Sequence, residues 1–72
     1  MKTRLLDYLY NLRNDENLRN YLVYIYARDI GYILVGSPSQ LYRVVMPDLY
    51  NKLVLSTQIN YTTTQIDITI DL

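Results

Sequence analysis

The chain has 72 residues with seven basic and seven acidic side chains, so its formal charge is zero, and half of it is hydrophobic. It carries nine tyrosines but no phenylalanine, tryptophan, histidine or cysteine. That composition excludes the usual zinc sites, thiol nucleophiles, imidazole bases and disulfide staples, and a charge of +1 over residues 1–36 against −1 over 37–72 leaves neither a basic stripe nor an acidic block.

A single domain of this size buries only about 60% of the surface its unfolded chain exposes. Such domains commonly lean on disulfides, a metal or a second chain. The composition removes the first two, so a homodimer is expected. Every aromatic here carries a hydroxyl that needs a partner when buried. A core this small cannot absorb all nine tyrosines, so several are expected at the surface.

The first helix is predicted from Met1 to about Arg13, with Leu5, Leu9 and Leu12 at helical spacing and Leu6 and Tyr8 widening the stripe. The opening Met1 to Asp7 gains an acid before any apolar run forms, so no secretory leader is expected and a cytoplasmic location is. Asn14 to Asn17 reads as a turn. Tyr21 to Tyr26 is rich in strand formers. Arg28 to Gly31 then suggests a hairpin loop, with Gly31 free to take positive φ. Pairing Ala27 with Tyr32 opposes Ile25 to Leu34 and Tyr26 to Ile33. Both faces of that hairpin come out apolar, so it is expected to be covered on both sides. A second helix over residues 15–28, ended by Gly31, is the competing reading.

Ser37-Pro38-Ser39-Gln40 is the sharpest local signal. Ser37 suits the N-cap, Pro38 the first helical position, and Gln40 closes a capping box. Leu41, Val44 and Val45 are the expected buried face, Pro47 should stop the helix at Met46, and one more turn can start at Pro47. The last twenty residues read as a half-buried hairpin. Joining Tyr61 to Ile66 across Thr62 to Gln65 opposes Ile59 to Ile68 and Leu55 to Leu72 on one greasy face. The expected fold is therefore a small α+β domain in α-β-β-α-β-β order. Its sheet is a mainly antiparallel four-stranded one made of two hairpins, with two short helices on it.

Catalysis finds no support in the residues. Asp67 and Asp71 share one face of the last strand but stand roughly 13 Å apart at about 3.3 Å per residue, too far for a shared-proton or retaining-glycosidase pair. Ser37 and Ser39 have no imidazole base, and Gly31 and Gly36 are isolated, so no phosphate loop exists. No catalytic residue, cofactor site or metal site is predicted, and no segment is long and apolar enough for a membrane span.

Two binding readings remain. Ala27 to Gly31 followed by Ser37 to Val45 resembles a helix-turn-helix, although Tyr32 to Gly36 is several residues longer than that motif's turn. The resemblance implies a small winged-helix DNA-binding regulator. Ser39, Gln40 and Arg43 would face the major groove, Thr62 to Thr64 would form the wing tip, and Lys52 completes the candidate set. The other reading is protein binding, because Tyr and Arg are enriched at interface hot spots. Tyr24, Tyr26 and Tyr32, with Arg28, are the candidate interface; the same group could alternatively stack single-stranded nucleic acid. The terminal strand lacks inward charges, so its edge is expected to be open to pairing. Composition and size are similar to those of small proteins of viruses and plasmids, notably archaeal ones, and that resemblance implies an unidentified host factor as the protein partner. The favoured expectation is a non-catalytic, homodimeric protein-binding module.

Overall fold

The computed structural model describes residues 3–44 and 47–71, with side chains except at positions 32, 33, 47 and 50. The elements are α1 (Leu5–Arg13), β1 (Leu22–Ala27), β2 (Gly31–Gly36), α2 (Pro38–Val44), α3 (Pro47–Tyr50), β3 (Val54–Asn60) and β4 (Gln65–Ile70). The α-β-β-α-β-β order is as expected, with the extra turn at Pro47 present as α3. A helix start at Met1, the buried role of Val45, a stop at Met46 and the pairing of Leu72 lie outside the described residues.

The sheet order is β2-β1-β4-β3. Both hairpins are antiparallel, but they join through a parallel β1–β4 contact, so the sheet is mixed. This placement corrects one expectation. The terminal strand β4 is central, and the edges are β2 and β3.

The parallel contact sets the core. Val23 lies beside Ile66, Ile25 beside Ile68 and Ala27 beside Ile70, and none of the six is more than 2% exposed. Leu5, Leu9 and Leu12 of α1, Leu41 of α2 and Leu49 of α3 pack onto this ridge. Each such fully buried Leu, Ile or Val contributes about 1.5–3 kcal/mol. Among the described residues no polar or charged side chain is buried, and every tyrosine whose side chain is described is half-buried or exposed. The described core is aliphatic, and the described tyrosine side chains are placed around it.

Local chemistry accounts for the element ends. The start of α1 has no side-chain cap at Arg4. It is held instead by the β3 approach: the Leu5 N–H donates to the Lys52 carbonyl at 2.8 Å, and the Val54 N–H donates to the Thr3 carbonyl at 2.8 Å. After α1, the Asp15 carboxylate accepts from the Asn17 and Leu18 amides at 2.8 and 3.2 Å, fixing the turn that leads into β1. The predicted capping box on α2 is present. The Gln40 N–H donates to Ser37 Oγ at 3.3 Å and the Ser37 N–H donates to Gln40 Oε1 at 3.0 Å. Leu41 is buried as expected, but Val44, the last residue of α2, is 65% exposed at the helix end.

Both hairpin registers differ from expectation for identifiable reasons. In β1–β2, Ile25 does face Leu34, but Tyr26 pairs with Tyr32 and Ala27 with Gly31. Gly31 takes φ +103° and the Ile30 N–H donates to the Ala27 carbonyl at 3.1 Å. The loop is thus one residue shorter than expected, and a bulge at Ile33 absorbs the difference. In β3–β4, Asn60 pairs with Gln65, Ile59 with Ile66 and Thr57 with Ile68. The Asn60 Oδ1 accepts from the Thr62 and Thr63 amides at 3.0 and 3.2 Å, and Thr64 adopts φ 53°. Those contacts draw Tyr61 into the turn, where it is 70% exposed. The two-residue offset keeps Ile59, Ile66, Ile68 and Ile70 on one face, while a second bulge takes Leu55 out of the expected pairing.

Among the described residues no helix is long and apolar enough to cross a membrane. Ser37→Ala is expected to lower stability by about 1 kcal/mol, measured as a shift of the denaturant midpoint. An unchanged midpoint would show that the capping box does not hold α2.

Candidate functional site

Among the described residues all helices lie on one side of the sheet, and none covers its other side. Strand alternation puts Leu22, Tyr24, Tyr26 and then Arg28 on that side of β1, and Gln65, Asp67, Thr69 and then Asp71 on that side of β4. The register adds Val35 from β2, opposite Tyr24, and Ser56, Gln58 and Asn60 from β3. None of these residues is buried. The expectation that the first hairpin is covered on both faces is therefore corrected. Half of this bare face is aromatic and apolar, and half is amide, hydroxyl and carboxylate.

The rings of Tyr24 and Tyr26 are stacked, with centroids 6.5 Å apart and planes at 21°. Leu22 and Val35 flank them, each 43% exposed. Asp67 lies beside Tyr24 in register. The Gln65 Nε2 donates to Asp67 Oδ1 at 2.9 Å. At the far end Arg28 pairs with Asp71 at 3.2 Å. Both of those side chains are about half exposed, so the pair adds only about 0–1 kcal/mol. It does fix the Arg28 guanidinium at the end of the tyrosine row.

The candidate interface set is thus brought together. Tyr24, Tyr26 and Arg28 follow one another along one strand face, and Tyr32 occupies the register position opposite Tyr26; the Tyr32 side chain lies outside the described ones. Sequence reasoning missed Leu22 and Val35 as members of the surface. Continuing the alternation backward from Tyr24 would have found Leu22, whereas Val35 needed the register. It also missed an aromatic cluster on the helical side. There Tyr10 and Tyr42 lie 5.8 Å apart and the Arg13 guanidinium carbon sits 5.1 Å from the centroid of the Tyr42 ring. Tyr10 and Arg13 are one helical turn apart, but Tyr42 joins them only because α2 packs on α1.

The DNA-binding set does not assemble as its motif requires. Residues 22–27 and 31–36 are strands, so the stretch resembling a helix-turn-helix lacks its first helix. This also decides between the two readings of residues 15–35 in favour of the hairpin. Ser39, Gln40 and Arg43 do share α2, and Arg43 is exposed. The Gln40 side chain is held in the capping box. Lys52 is half-buried between α3 and β3, where its carbonyl accepts from the Leu5 amide.

Among the described residues no group of three or more carboxylates gathers where a metal ion could be held. Searches against protein-family models, curated proteins and solved structures give no match.

This arrangement predicts no measurable binding to mixed double-stranded DNA at about 50 mM salt. Binding that falls steeply between about 50 and 200 mM, the signature of phosphate contacts, would restore the regulator reading and make Arg28, Arg43 and Lys52 the residues to substitute.

Proposed function

We propose that this chain is a small non-catalytic protein-binding module that docks a partner protein on the bare face of its sheet, around Tyr24 and Tyr26. The observation that carries the reading is the stacked tyrosine pair on a central strand whose other face is the core. Tyrosine gives a large contact area at low entropic cost, with a hydroxyl that tolerates water in the unbound state. Polar groups from β3 and β4 border it, the arrangement of an apolar centre and a wet rim that interfaces use. The likeness in composition to small viral and plasmid proteins makes a host protein the class of partner proposed, in the cytoplasm where such a partner would be met.

The same reading includes a homodimer, supported by the short chain and by its sheet edges. β2 and β3 carry no charged residue over their whole length. Bulges interrupt regular pairing at Ile33 and at Leu55, leaving residues 56–60 of β3 as the longest regular uncharged edge. Pairing of two copies there would extend one sheet through both and leave both tyrosine faces available. The winged-helix alternative loses its main requirement with β1 as a strand.

Two experiments test these statements. Binders selected from a random peptide library should lose affinity at least about tenfold on Tyr24→Ala or Tyr26→Ala, since truncating a hot spot costs about 2 kcal/mol or more, with thermal melting retained. Binders that map elsewhere would refute the docking face, and unfolding of either variant would assign those tyrosines to stability instead. Sedimentation equilibrium is expected to give a dimer that Ser56→Lys combined with Gln58→Lys converts to monomer; a wild-type monomer would remove the dimer from the proposal.

A further inference from the structure

We infer that the segment docking on this face is cationic: an arginine-bearing stretch of the partner protein whose guanidinium lies over Tyr24 and Tyr26 and pairs with Asp67. The inference rests on the protein-docking reading above and adds the chemistry of the ligand. Asp67 stands beside Tyr24 on the central strand pair. It is half-buried, and its side-chain hydrogen bond comes from a neutral group, the amide of Gln65. Among the described residues the ion pairs are Arg4–Asp7 and Arg28–Asp71, so no cation neutralises Asp67. The cation on its face, Arg28, is already held by Asp71. The bare face therefore carries a net negative charge next to two π surfaces, on a chain whose formal charge is zero.

That combination is a receptor for a planar cation. Tyrosine faces attract a guanidinium through the ring quadrupole, most strongly when the pair is shielded from water. A carboxylate beside the rings adds charge-assisted hydrogen bonds with a geometry that arginine matches better than lysine. The chain already makes this type of contact on its helical side, where Arg13 sits over the ring of Tyr42. The same charge disfavours the other occupants. A phosphate backbone would meet Asp67 and Asp71, and two copies stacked face to face would bring their Asp67 carboxylates together in a drying interface. An arginine-bearing partner removes the cost of covering Asp67 that any neutral partner would incur.

The test is an amide-resonance titration of the full chain with synthetic peptides that share one Gly-Ser frame and carry arginine, glutamine or glutamate at the same positions. The arginine peptide is expected to shift Tyr24, Tyr26 and Asp67 saturably, and the glutamine and glutamate peptides to leave them in place. Asp67→Asn keeps the shape and an acceptor for Gln65, and should weaken the arginine peptide about tenfold or more, as loss of one charged contact implies. Tyr26→Leu, which keeps bulk on the strand but removes the π face, should weaken it as well. Equal shifts by the arginine and glutamine peptides would overturn the inference while leaving a docking face in place. Binding that is indifferent to Asp67→Asn, or shifts confined to other acidic sites, would overturn it too. If no peptide moves the face, the inference fails, and the peptide-library selection separately decides whether the face docks protein at all.

Discussion

The parallel register between β1 and β4 is the constraint on which the rest of the molecule depends. An isolated two-stranded hairpin is marginal in water, and this chain has two of them, separated by its middle helices. What makes them one sheet is the alignment of Val23, Ile25 and Ala27 with Ile66, Ile68 and Ile70. A slip of one residue along either strand would turn three of these six side chains away from the helices and present polar ones in their place. The chain gives that contact its most aliphatic residues and puts its only regular run of isoleucines there.

Once that ridge exists, the placement of the helices follows. Leu5, Leu9 and Leu12 can be buried only against the isoleucine side, and Leu41 and Leu49 arrive on the same side because they belong to the segment linking the hairpins. All helical cover is thereby used on one face. The opposite face is left to whatever alternates with the core residues: Leu22, Tyr24 and Tyr26 on β1, and Gln65, Asp67 and Thr69 on β4. The bare face is thus a direct consequence of strand periodicity together with one-sided helices. Its chemical character is not so determined. Solubility alone would be met by threonine or glutamine at positions 24 and 26, and the stacked tyrosines there are what the proposed binding role would account for.

Much of this was legible in the sequence where the signal is local. The leucine spacing of α1, the capping box at Ser37 and Gln40, the glycine turn at Gly31 and the alternation of the last strand each depend on neighbours a few residues apart, and each is present in the structure. The features that escaped are those that need distant parts of the chain. The parallel join was hidden because alternation specifies faces but not which strand lies alongside. The bulges at Ile33 and Leu55 are defined only by the paired strands, and the drawing of Tyr61 into its turn depends on Asn60 accepting from the Thr62 and Thr63 amides. The candidate interface was found because Tyr24, Tyr26 and Arg28 are two residues apart on one strand, so periodicity alone unites them. Asp67 joined them only through the register of strands more than forty residues apart.

The absence of phenylalanine then acquires a structural meaning. The described core is entirely aliphatic, and no described tyrosine is fully buried. A hydroxylated aromatic is a poor core residue in a domain with so little interior in which to satisfy it. On a surface the argument reverses: the ring supplies contact area while the hydroxyl keeps the unbound state hydrated. Phenylalanine at positions 24 and 26 would make the bare face a larger apolar patch between two uncharged sheet edges, which is the combination that invites aggregation. Tyrosine, with Asp67 and the Arg28–Asp71 pair beside it, keeps the same face hydrated, and under the proposed function its rings would be the surface that meets a partner. The composition that closes off catalysis by imidazole or thiol is thus compatible with the docking surface proposed for this face.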